Sequence, residues 1–288
     1  WKTKEGLVRG CACRGTAGFA HVSCLAEQAK ILFAESEENN LDSKALNERW
    51  IRWAVCGLCE QEYHGVVACA LGWACWKTYL GRPEGDKARR LAMNLLGNGL
   101  SYAEKYEDAL SVGAAELSAE RRLGASEFDL LAMQGNLADT LQKIGRLEEA
   151  VQMKRDVYSE RVRLHGEEHE NTLKAAMNYA SSLVKLERHQ EAKALMRKMI
   201  PVARRVHGEG HRTTLAMRLM YARALCRADG ATLGDTREAV ARLEDAGRIA
   251  RRVLGGAYPL TVQIENNLGF ARETLRAREE ASSTVVLE

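Results

Sequence analysis

Three short Cys/His pairs stand in the first sixty residues: Cys11-x-Cys13, His21-x-x-Cys24 and Cys56-x-x-Cys59. A closely spaced cysteine pair keeps two thiolates within reach of one ion, and His-x-x-Cys offers a mixed N,S pair in the same way. Zn²⁺ takes four such ligands in a tetrahedron, so pairs of this kind have to combine in space. Seven of the eight cysteines lie before residue 76. A disulfide scaffold would spread them through a small secreted domain, whereas a local cluster in a helical chain favours metal. Cys69 and Cys75 sit in an apolar stretch and read as buried thiols, as does Cys226. No other constellation points to catalysis. The glycines between Gly10 and Gly18 lack the Lys-Ser/Thr of a phosphate-binding loop. His165, His169, His207 and His211 recur in polar connectors and read as loop and capping groups. No residue is assigned a catalytic role.

The elements that must position these pairs are helical. The 288 residues contain 3 Pro, 6% aromatic, 46% apolar and 28% charged residues. That is an ordinary globular composition suited to long uninterrupted helices. Lys+Arg 42 against Asp+Glu 39 leaves +3, with both signs interleaved, so nucleic acid is not implied. The longest apolar run, 66–76, is far short of the roughly 20 residues that span a bilayer. Residues 1–65 read as the metal-binding region, 66–87 as a connecting helix and linker, and 88–288 as an array of about 4 to 5 helix hairpins.

The array has a period of 42. Segments 132–173 and 174–215 align without a gap, matching Asn136 with Asn178, Ala138 with Ala180, Leu141 with Leu183 and Ala150 with Ala192. Small residues recur in pairs at 97/109, 138/150, 180/192, 222/239 and 269/281. Two antiparallel helices approach closely only where side chains are small. Each hairpin then leaves an apolar face that a neighbouring hairpin covers, which predicts a solenoid. Pro201 falls inside a second helix and predicts a kink or an early break.

This pattern resembles the tetratricopeptide repeat, in the longer form found in kinesin light chains, over about residues 88–281. The quoted residues are that family's small positions, its turn (GRLEEA) and its connector (HGEEHENTL). The resemblance implies a mainly α fold, an α-solenoid of helix hairpins, with a groove that holds a protein or peptide ligand. Asparagines along that groove grip the peptide backbone in the family. The matching positions are Asn136, Asn178 and Asn267, with Met220 interrupting the series.

The cysteine pairs resemble the later three-quarters of a RING-CH (RING-variant) zinc finger, whose first Cys-x-x-Cys is absent here. Trp53 resembles the aromatic that packs against the last Cys pair. Carried over pair by pair, the resemblance implies that Cys11, Cys13, Cys56 and Cys59 share one Zn²⁺, while His21 and Cys24 form half of a second site. The chain opens at Trp1, and the missing pair is expected upstream. Two functions follow as expectations: a cytoplasmic ubiquitin ligase that docks a ubiquitin-conjugating enzyme and selects substrate with its repeats, or a non-enzymatic adaptor with a purely structural zinc.

Overall fold

The computed structural model describes residues 5–15 and 18–285, with side chains as far as 280. Twelve α-helices and no strand longer than an isolated bridge are found among them. The chain divides into two compact units, Trp1–Ile144 and Gly145–Glu288.

Unit 1 carries α1 (Val22–Glu38), α2 (Ser43–Trp50), a 3-10 turn (Ile51–Trp53), α3 (Gly65–Tyr79), α4 (Lys87–Tyr102), α5 (Tyr106–Arg122) and α6 (Glu127–Ile144). The stretch 66–87 is therefore most of α3 and a turn, and α3 packs along α4 as a hairpin. Glycines set the closeness of that packing. A Cβ at Gly72 would lie 3.0 Å from the Leu96 Cα, and one at Gly99 would lie 2.6 Å from the Ala68 carbonyl oxygen. Asp86 caps α4 by accepting from the Ala88 and Arg89 N–H groups. Arg82, in the turn before it, forks onto Glu37 of α1 with both bonds at 2.7 Å. An aromatic cluster of Phe33, Trp50, Trp53 and Tyr79 fills the space between α1, α2 and α3. Arg90 of α4 ties to Glu120 of α5.

Unit 2 carries α7 (Leu147–His165), α8 (Glu170–Lys185), α9 (His189–His207), α10 (Arg212–Arg227), α11 (Leu233–Leu254) and α12 (Pro259–Val285). Ala150, Ala180, Ala192, Ala222 and Ala239 are fully buried, as the close-packing argument requires. The repeat also shows in polar contacts. The Thr172 hydroxyl donates to the Arg161 carbonyl at 3.2 Å, and Thr214, 42 residues on, donates to Ala203 at 3.3 Å. His169 and His211 cap α8 and α10, each accepting a backbone N–H on Nδ1.

Two expectations need correction. Helix α9 does not break at Pro201 but runs on to His207. One lost hydrogen bond is outweighed by the burial of Met199, Val202 and Ala203 around it. Gly269 is exposed, with nothing within 4 Å of an added Cβ, and the buried small residue of α12 is Ala271. Among the described residues no helix follows α12 to press on Gly269. The side chain of its expected partner, Ala281, lies outside the described residues.

Candidate metal centre and groove

Two backbone hairpins bring the cysteines together. In the first, Val8 and Ala20 exchange backbone bonds of 2.9 and 3.1 Å, and Cys11 and Cys13 lie in the loop between them. In the second, Cys56 N–H donates to Gln61, Glu60 N–H to Cys56, and Tyr63 N–H to Ala54. Cys56 and Cys59 lie at its turn. The His64 N–H donates to the Gly10 carbonyl at 2.9 Å and fastens one hairpin to the other. Two glycines allow the fit: an added Cβ would lie 2.4 Å from Val67 Cβ at Gly10 and 2.7 Å from Cys13 Cβ at Gly18.

The sulfurs of Cys11, Cys13, Cys56 and Cys59 all lie within 4.8 Å of one another, with Cys13 and Cys56 3.7 Å apart. None of the eight cysteines forms a disulfide. Four convergent thiols, three of them buried, can hold a metal ion. Their proton affinities are split. Hydrogen bonding with Cys59 and Cys11, together with burial, pushes the Cys13 thiol up to about 12. Burial raises Cys56 as well, but N–H donation from Cys59 and Leu58 and thiol donation from Cys11 and Cys13 prevail and bring it down to about 7. A cation bound there would compete with the thiol protons.

His21 and Cys24 stand together at the start of α1, with Nδ1 and Sγ 3.7 Å apart. They are not part of the four-sulfur group. His21 occupies the N-cap position of α1 without making a side-chain cap bond. Cys69, Cys75 and Cys226 are buried thiols, and burial raises Cys75 and Cys226.

Trp53 does not pack against the last Cys pair. It belongs to the aromatic cluster around Tyr79, because the 3-10 turn directs it toward α3. The aromatic beside the sulfurs is Tyr63, buried with Cys11, Cys13, Cys56, Val67 and Leu71. Its position four residues after Cys59, on the returning arm of the hairpin, was the available signal.

Asn136 is exposed on α6 and lines a groove in unit 1 with Asn94 and Asn98 of α4, Thr140 of α6 and Glu116 of α5. Asn94 and Asn98 were not singled out from sequence, although their spacing of four puts them on one helix face. Burial raises the Glu116 carboxyl to about 7, with Asn94 donation and Arg90 opposing and Glu120 reinforcing. In unit 2, Asn178 is exposed on α8. Asn267 is half-buried on α12, and its amide donates to the Gln263 carbonyl of its own helix at 2.8 Å. One of its two N–H donors is therefore engaged locally.

Comparison with known proteins fits this geometry. Residues 129–199 match the tetratricopeptide repeat. The crystal structure of a putative kinesin light chain from Podosopora anserina, with nearly identical TPR-like repeats, is similar over 81% of this chain and 97% of its own at 19% identity and TM-score 0.53. A point variant of that same protein gives the same coverage and TM-score at 18% identity. At such identity the likeness establishes the fold, an α-solenoid of repeat hairpins, and nothing finer. No curated protein matches the chain. No helix among the described residues is long and apolar enough to cross a membrane. Repeats of this type suggest a protein–protein interaction scaffold.

Proposed function

We propose that the chain is a protein-interaction scaffold whose four-cysteine cluster binds Zn²⁺ as a RING-CH-like finger, and that it works as a cytoplasmic ubiquitin ligase whose repeats recruit the substrate. The observation carrying this reading is the pairing of the cysteines: Cys11 and Cys13 converge with Cys56 and Cys59, skipping the intervening His21 and Cys24. A cross-braced finger alternates its pairs in this way. The donor set fits Zn²⁺. Tetrahedral zinc–sulfur bonds of about 2.3 Å put neighbouring sulfurs roughly 3.8 Å apart, and Cys13 and Cys56 are separated by 3.7 Å. His21 and Cys24 would hold half of a second ion. Peptide recognition falls to Asn136, Asn178 and Asn267, together with Asn94 and Asn98.

A finger of this kind performs no covalent step. It would dock a charged ubiquitin-conjugating enzyme and orient the thioester. Leu58, at the tip of the Cys56–Cys59 turn, is 72% exposed and gives that enzyme an apolar contact. The test is reconstituted ubiquitin transfer with the full chain. Transfer is expected to need zinc and to be lost in Cys56→Ala and Leu58→Asp, with Leu58→Asp keeping its bound zinc. Zinc bound at one ion per four-cysteine cluster without any transfer would replace the ligase reading with the adaptor. That second reading draws on the packing of the cluster against Val67 and Leu71 of α3, where an ion would act as a structural staple.

A further inference from the structure

Residues 197–252 hold 13 Arg and Lys against 6 Asp and Glu, in a chain that is otherwise nearly balanced. In unit 2 this excess converges on a cavity of about 270 Å³ between α9, α10 and α11, walled by Arg197, Arg204, Arg218, Tyr221, Arg242 and the single acid Glu238, with Arg204 paired to Glu209. The Arg218 side chain is only 8% exposed and is fixed by Asp245 and Glu209. Arg197 reaches the Tyr221 hydroxyl at 3.4 Å and has no carboxylate within ion-pair distance among the described residues. Pro201, also in the wall, carries no N–H, so the Arg197 carbonyl four residues before it lacks its helical donor. Arg242 leads along α11 to Arg248 and Arg252. At 100° per residue these three project within about a third of a turn of one another, along roughly 15 Å of helix. A second cavity, of about 760 Å³ between α11 and α12, holds Arg251 and Arg272, paired with Glu265 and Glu244 respectively.

We infer that this face of unit 2 binds an acidic peptide segment through its carboxylate or phosphoryl side chains. Guanidinium forks match both anions bidentately. The pair Arg242–Glu238, at 3.3 Å with both side chains well exposed, is weak in water and yields to a better-placed anion. The stripe from Arg242 to Arg252 accommodates about five extended residues. Glu238, Glu244 and Asp245 break the positive charge into separate points, which suits spaced side-chain anions rather than a continuous phosphate backbone. Tyr221 is buried and offers no platform for a base. The site is also separate from the asparagine row. Arg218 lies two residues before Met220, the α10 counterpart of Asn178, about 200° around the helix.

The test is fluorescence anisotropy on the full chain with labelled octaglutamate, a peptide bearing two phosphoserines, octaglutamine and oligouridine. Octaglutamate or the phosphopeptide is expected to bind, the tighter of the two identifying the anion. Binding should weaken at least tenfold in Arg197→Gln/Arg242→Gln and on raising salt from about 0.05 to about 0.3 M. Both arginines are exposed, and an unchanged circular-dichroism melt checks that the double variant folds. Arg252→Gln alone should give a smaller loss. Asn136→Ala/Asn178→Ala should leave this binding intact, so failure of the groove assignment is read separately. Equal binding of octaglutamine, no effect of the double variant, or tighter binding of oligouridine would overturn the inference.

Discussion

Gly99 offers a sharp test of how the cysteine cluster is seated. A Cβ there would lie 2.6 Å from the Ala68 carbonyl oxygen and 3.0 Å from the Cys69 Cα, both backbone atoms of α3. Ordinary carbon–oxygen contact begins at about 3.4 Å, so Gly99→Ala forces the helices apart by roughly 0.8 Å. The retreat is resisted, because Gly72 makes a similar backbone approach from α3 onto Leu96. Overpacking of this kind costs ~1–3 kcal/mol, while alanine in place of a helical glycine returns ~1 kcal/mol. The net expectation is a loss of about 1 kcal/mol. Gly135 on α6 is the control: nothing lies within 4 Å of its added Cβ, so Gly135→Ala should stabilise by up to ~1 kcal/mol. All five tryptophans fall at residue 76 or before. Urea unfolding followed by tryptophan fluorescence therefore reports unit 1 selectively. Because α3 carries Val67 and Leu71 against the sulfurs, Gly99→Ala should also speed metal release to a chelator. If Gly99→Ala raises the urea midpoint as much as Gly135→Ala does, the close-approach argument is wrong.

Further outcomes follow from individual side chains. Cys56→Ala should abolish stoichiometric metal binding measured by elemental analysis, whereas Cys69→Ala should leave it unchanged; equal loss in both would remove the four-sulfur assignment. His211 is neutral where it caps α10, and burial next to His207 holds it below its ordinary value of 6.5. A histidine depressed on folding stabilises above its unfolded pKa, and that stability is lost as pH falls below about 6.5. His211→Asn keeps the acceptor and removes the titration. The drop in urea midpoint between about pH 7.5 and 5.5, read by circular dichroism, should shrink by an amount set by a cap's ~1 kcal/mol; an unchanged drop refutes it. His189, also depressed by burial, leaves a residue of the same sign. Glu116 is raised to about 7, so its contribution is present below about pH 4.5 and lost as pH climbs through 7. Glu116→Gln should stabilise unit 1 near pH 8 by on the order of 1 kcal/mol, after discounting for its partial exposure. No change in the tryptophan-detected midpoint would mean that solvent already relieves the carboxylate.

The readings that worked rested on spacing. A thiolate pair separated by one or two residues is constrained by bond lengths alone, so Cys11, Cys13, Cys56 and Cys59 could be grouped through resemblance before any fold was known. The buried alanines from 150 to 239 repeat because close helix contact leaves room for nothing larger, which made the hairpins visible as a period. What failed depended on direction. Trp53 and Tyr63 are both aromatics near the last Cys pair, and only the path of the 3-10 turn and of the hairpin decides which one faces the sulfurs. Gly269 kept its register position without the packing partner that gives that position meaning. The arginine-lined cavity escaped notice because its charges come from three helices and are interleaved with acids in sequence; they meet only when α9, α10 and α11 pack. Asn267 illustrates the same limit, since its amide can turn to a ligand or to its own helix, and here it donates to Gln263.

Within unit 1, the four-cysteine cluster and the asparagine-lined groove share a packing path. The sulfurs rest on Val67 and Leu71 of α3. Gly72 and Gly99 lock α3 to α4 with backbone-to-backbone approach. Helix α4 then presents Asn94 and Asn98 to the groove opposite Asn136. Interiors packed to crystal-like density transmit displacements rather than absorb them. Opening the cysteine cluster therefore removes the floor beneath one face of α3 and disturbs the second hairpin, whose Glu62 accepts from the Tyr102 hydroxyl of α4 at 2.8 Å. The terminal hairpin of a repeat array ordinarily needs a polar cap, because its outer face has no next repeat to cover it. Here α3 is apolar along most of its length, Val67, Leu71 and Cys75 are buried, and the cysteine hairpins together with α1 supply the cover. On this arrangement the cysteine region covers the outer face of α3 within unit 1, and the packing of its four sulfurs bears on the groove that α4 lines.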